Sequence, residues 1–167
     1  MSQRQVVQNL AALILNRPEV LNYARNIATA IVNGPKNHCA ATLSSLLVFV
    51  GIFPKGGGTG SGDLEPWVPS LAWDLETRRG WSRIAVDQTI ASGDVGVVLV
   101  DENTHHIYLV VDARNQSSPI IADNQLAGVH ARPLAGDPTQ DFSPTSYLLR
   151  APDDRAKVEY VALRPPP

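Results

Sequence analysis

Near Ala91 the 167-residue chain changes its hydrophobic period, and that change limits the fold it can adopt. Before it, apolar residues recur at three- and four-residue spacing, the mark of helices that each bury one stripe. After it come GDVGVVLVD from Gly93 and HIYLVVDA from His106, two runs rich in β-branched residues. A turn-like Glu102-Asn103-Thr104 separates them, so they read as an antiparallel hairpin. Helices first and strands afterwards define an α+β fold, with N-terminal helices packed on a mainly antiparallel β-sheet.

A first helix is expected from Val6 to Leu15, with Val6, Leu10, Leu13 and Ile14 on one side. Pro18 opens a second, whose inward face is read as Leu21, Ile27 and Ile31 and whose end is Gly34-Pro35. A third runs from about His38 to Val50, with Asn37 as N-cap and Gly51 and Pro54 as stops. The segment VPSLAWDLETRRGW from Val68 reads as a short fourth helix. Beyond the hairpin, SSPIIADNQ, VHARPLA and a final AKVEYVALRP read as strands. The expected organisation is one domain over residues 1–167, with 1–35 as an N-terminal helical extension.

A net charge of -2 gives no general pull toward nucleic acid or anionic lipid. No run approaches the roughly 20 apolar residues of a membrane span. The N-terminus reads as an amphipathic helix rather than a signal peptide, so synthesis in the cytoplasm is expected. A substrate outside the cell or in the periplasm then requires a non-classical delivery route. The single cysteine excludes an intramolecular disulfide framework and a cysteine-based zinc site. In KGGGTGSGDLEP the lysine precedes the glycines and a helix precedes the lysine, which is not the order of a phosphate-binding loop.

That cysteine, Cys39, falls in the first turn of the expected third helix. There the positive end of the helix dipole and free backbone N–H groups favour a thiolate and can hold an oxyanion. A histidine beside it can take the thiol proton and return it to a leaving amine, if a third polar group orients the ring. His38 is adjacent in sequence but points elsewhere on the helix, and His130 has no evident partner. His105 and His106 open the second hairpin strand, where alternation turns one of them toward the helix start. Asp123 and Gln125, two apart on the next expected strand, would share a face and offer orienting groups.

Four pieces together resemble the NlpC/P60 and CHAP superfamily of papain-like cysteine peptidases and amidases. They are Asn37-His38-Cys39-Ala40-Ala41, Gly93-Asp94-Val95-Gly96-Val97-Val98, His106-Ile107-Tyr108-Leu109-Val110-Val111 and Ile120-Ile121-Ala122-Asp123-Asn124-Gln125. They span about half the chain. The resemblance implies a papain-like core with Cys39 as nucleophile, His106 ahead of His105 as general base, and Asp123 or Gln125 as orienter. The family usually has Gly or Ala two residues after the histidine, where this chain has Tyr108.

The implied reaction is hydrolysis of an amide through a thioester on Cys39, with no metal or organic cofactor. The implied substrate is a peptidoglycan peptide or another peptide amide, met by His38 and by Trp67, Trp73 and Trp81 walling the cleft. Partners in that setting are a delivery apparatus and a cognate inhibitor, as for a secreted amidase toxin; a phage lysin is the other setting. Two different functions remain open beside it. One is a papain-like binding module without catalysis, and the other a cysteine protease or deamidase acting on a protein.

Overall fold

Among the described residues, four α-helices lie against a six-stranded antiparallel sheet, and the helix that carries Cys39 is the one surrounded by the rest. The computed structural model describes residues 1–32, 38–54, 64–100 and 105–153. The helices are α1 (Gln3–Asn16), α2 (Glu19–Ile31), α3 (His38–Phe49) and α4 (Val68–Thr77). The strands are β1 (Ser82–Ile84), β2 (Val95–Leu99), β3 (His105–Asp112), β4 (Ile120–Ala122), β5 (His130–Ala131) and β6 (Tyr147–Arg150). Their order across the sheet is β1-β6-β2-β3-β4-β5, antiparallel throughout. The α+β class follows. No helix of the described residues is long and apolar enough to cross a membrane.

The central position of α3 follows from its sequence. Every residue from Cys39 to Leu47 is buried, so the helix is apolar or small all round rather than striped. Of its three hydroxyls, Ser45 donates to the Ala41 carbonyl at 2.7 Å and Ser44 accepts the Glu65 N–H at 2.8 Å, while the buried Thr42 Oγ1 has no partner among the described residues. Around it, Val6, Val7, Leu10 and Ile14 of α1 join Val95, Val97, Ile107 and Leu109 of the sheet in one core. Residues 1–32 are thus part of the main core rather than an appendage to it.

The helical stripes differ from the expected ones in two places. Leu13 is exposed, and the buried stripe of α1 is Val6, Val7, Leu10, Ala11 and Ile14. On α2 the buried residues are Leu21, Ala24 and Ala28, a true three-and-four spacing, while Ile31 is exposed. Two alanines allow close approach, and large apolar residues misdirected the expected face. The strands β1 and β6 were not expected, because three or four residues carry too little period to read. The Asn37 cap, the Gly34-Pro35 stop, the Glu102-Asn103-Thr104 turn, residues 55–63 and the strand expected over 156–165 lie outside the described residues.

The Gly93-Asp94 pair explains itself by packing. Gly93 has φ +93°, and a Cβ there would come within 3.0 Å of Val7 and 3.1 Å of the Gln8 backbone on α1. Asp94 is buried and receives both arms of Arg150 from β6, at 2.9 and 2.7 Å, together with the Ala91 N–H at 2.7 Å.

A second apolar cluster, with Ile84, Val98, Tyr108, Val110, Ile121 and Leu148, fills the other face of the sheet. Tyr108 therefore does not meet α3. Its ring lies over its cross-strand partner Gly96, where a Cβ would stand 2.0 Å from a ring carbon. The hydroxyl pairs with Thr145 at 2.7 Å, and the Arg132 guanidinium sits 5.3 Å from the ring centre. With the ring held at both ends, Gly96→Ala is expected to cost about 1–3 kcal/mol in urea unfolding. Unchanged stability would mean that the ring moves freely aside.

Candidate functional site

Cys39 is the second residue of α3 and His106 the second of β3, so the two meet where the start of the helix adjoins the end of the sheet. The first N–H groups of α3 have no acceptor within the helix, which leaves donors beside the thiol. Cys39 and His106 are both buried. The thiol interacts with the imidazole and favours its protonated form. The other side of the ring is fixed: His106 Nε2 is 2.9 Å from Asp123 Oδ2. With that nitrogen donating to the carboxylate, Nδ1 is left to exchange a proton.

Asp123 is the hub of the arrangement. It sits one residue past β4, almost wholly buried. Oδ2 faces His106, while Oδ1 accepts the Gln125 N–H at 2.9 Å and lies 3.1 Å from His130 Nε2. Behind it, Arg25 of α2 donates through Nε to the Asp123 carbonyl at 2.8 Å, and through Nη2 to the Leu126 and Gly128 carbonyls at 2.6 and 3.2 Å. One guanidinium thus ties down the loop that presents the carboxylate. Below lies Arg132, fully buried, which donates to Gln125 Oε1 at 2.8 Å and to the Ser143 carbonyl at 3.0 Å.

These contacts fix the charges. Burial raises the Asp123 carboxyl, but hydrogen bonds from His106 and His130 outweigh it and hold the group well below the usual carboxylate range. Burial likewise opposes the charged form of His106, yet its bonds to Asp123 and Cys39 leave the imidazole above its ordinary value. The site is set up to carry a negative charge, an imidazolium and a thiol in a line.

Of the residues singled out from sequence, the fold brings together Cys39, His106 and Asp123. Gln125 is not on a strand beside Asp123: β4 ends at Ala122, and the Gln125 side chain turns to Arg132 instead of to His106. His105 faces away from His106 along β3, with a buried Nδ1 that has no hydrogen-bond partner among the described residues. His38 opens α3 beside Cys39, its Nε2 in the same condition. The three tryptophans do not act as a set. Trp67 and Trp73 are exposed, whereas Trp81 is a core residue whose Nε1–H donates to Gln3 Oε1 at 3.1 Å, out of reach of a ligand.

Three residues of the arrangement were missed in the sequence. The strand expected over VHARPLA is formed only at His130–Ala131 (β5), and the pairing of His130 with Ile121 of β4, which brings its ring to Asp123, leaves no local signal. Arg25 left a faint signal, a cation next to the buried Leu21-Ala24-Ala28 stripe. Arg132 left none. Compared with family models, with curated proteins and with solved structures, the chain matches none.

The charge pattern sets a pH window for stability. Asp123 is more acidic folded than unfolded, so its contribution is full above about pH 4 and is lost as pH falls. His106 is more basic folded than unfolded, so its contribution is full below about pH 6.5 and is lost as pH rises through its folded value. The unfolding free-energy gap between wild type and Asp123→Asn, measured in urea, should be widest between about pH 4 and 6.5. A gap independent of pH would contradict the ion pair.

Proposed function

We propose that the protein is a papain-like cysteine amidase, of NlpC/P60 or CHAP type, that hydrolyses peptide amides through a thioester on Cys39. The observation that carries this reading is the line Cys39–His106–Asp123, with the thiol at a helix start and the imidazole held by a buried carboxylate. A solvated histidine pair or a plain core cysteine gives no reason for that carboxylate to be so placed.

The steps follow from the groups present. His106 Nδ1 takes the thiol proton, and the sulfur attacks the amide carbonyl carbon. The oxygen gains the negative charge and is stabilised by the N–H groups at the start of α3, that of Cys39 among them. The imidazolium, kept charged by Asp123, gives its proton to the departing amine as the C–N bond breaks. Water, deprotonated by the same ring, then cleaves the thioester and restores the thiol. Asp123 is the orienter in this scheme, since Gln125 is engaged with Arg132.

The substrate class proposed is the peptidoglycan stem peptide, on the family resemblance of the four motifs. It implies that the enzyme reaches the cell wall, with a cognate inhibitor where it serves as a toxin. Purified sacculi incubated with wild type should release peptide fragments identifiable by mass spectrometry, and Cys39→Ala should release none while unfolding at close to the wild-type midpoint. Release by both would overturn the assignment of Cys39. Release by neither, with cleavage or deamidation of a protein substrate by wild type alone, would replace the wall peptide by a protein.

A further inference from the structure

We infer that His130 is a positioning residue of this site: it holds the Asp123 carboxylate in the rotation that serves His106. This rests on the reading of Cys39 and His106 as a nucleophile and its base. A carboxylate turns about its Cβ–Cγ bond unless both oxygens are engaged. Here Oδ2 serves His106 at 2.9 Å, and Oδ1 is fixed by His130 Nε2 at 3.1 Å and by the Gln125 N–H at 2.9 Å. The His130 ring is itself immobilised before it meets the carboxylate. It stacks on Phe142 with centroids 5.6 Å apart and planes 26° apart, and its Nδ1 is 3.0 Å from the Ala131 carbonyl. The β4–β5 pairing of Ile121 with His130 sets this ring beside the residue that follows β4.

The charged and titratable groups facing Asp123 come from every element around it. They are His106 of β3, His130 of β5, Arg25 of α2 on the Asp123 carbonyl, and Arg132 just after β5. Tyr108 of β3 adjoins Arg132, and Cys39 of α3 lies beyond His106. Only the two histidines place a ring nitrogen on the carboxylate oxygens. A histidine that merely latched β5 to the sheet would leave His106 and Cys39 unaffected when replaced by any residue that keeps the fold.

The test needs no substrate. The rate at which iodoacetamide alkylates Cys39 at pH 7 is measured in wild type, His106→Ala, His130→Gln and His130→Asn, with the ring N–H proton of His106 followed by NMR. A glutamine amide nitrogen reaches the place of Nε2, whereas that of asparagine reaches only the place of Nδ1. The expected result is fast alkylation and a protected His106 N–H signal in wild type and in His130→Gln. His130→Asn should alkylate about tenfold more slowly, a loss in keeping with a misplaced reacting group, and its His106 N–H signal should broaden by exchange. His106→Ala should be slow as well. If His130→Asn alkylates as fast as wild type while His106→Ala is slow, His130 has no positioning role although the Cys39–His106 pair stands. If His106→Ala alkylates as fast as wild type, the pair itself fails and the role of His130 falls with it.

Discussion

A buried carboxylate governs the arrangement of this protein. Asp123 lies where an unpaired charge would be costly, and it is kept ionised by ring nitrogens of His106 and His130 on its two oxygens. The cost of burying it is offset only while those partners hold their places. The surrounding structure provides for that. Arg25 fixes the backbone on which Asp123 sits, and Arg132 ties Gln125 and Ser143 below it. Strands β3 and β5 therefore meet at one side chain, on a loop whose backbone α2 holds from behind.

The second constraint is α3. A helix buried on all sides has a fixed axis, and a residue in its first turn inherits that precision. Packing positions Cys39, since α2, α4 and β3 lie against the helix it opens and α1 joins the same core. The same core that gives the chain its stability thus sets the thiol against the ring of His106. Gly93 contributes by letting α1 come close to the loop before β2.

How much of this was legible in the sequence depends on the length of each element. Helix α1 and the β2–β3 hairpin are legible by pattern, whereas α3, buried all round, has no stripe and is legible by its stops, which put Cys39 at a helix start. Alternation along β3 separated His106 from His105, but could not say which ring meets the thiol; the motif that follows His106 tipped the choice. Gln125 was drawn to Asp123 by extending a strand that stops at Ala122. His130 falls in the segment VHARPLA that reads as a strand, but its partner is defined only by pairing across the sheet. Trp81 read as a cleft residue because tryptophan is amphipathic, and only packing shows that its N–H is taken by Gln3. Short elements and long-range pairings carry little local signal, and the hub of the site is built from them.

Cys39 and Asp123 act together on the His106 imidazole. An NMR titration of His106 in wild type, Cys39→Ala and Asp123→Asn tests it most directly. His106 in wild type should titrate above the ordinary histidine value of about 6.5. Each variant should move it down, because burial then acts with one fewer opposing partner. A His106 that titrates at or below the ordinary value, and that ignores the loss of the thiol, would contradict it.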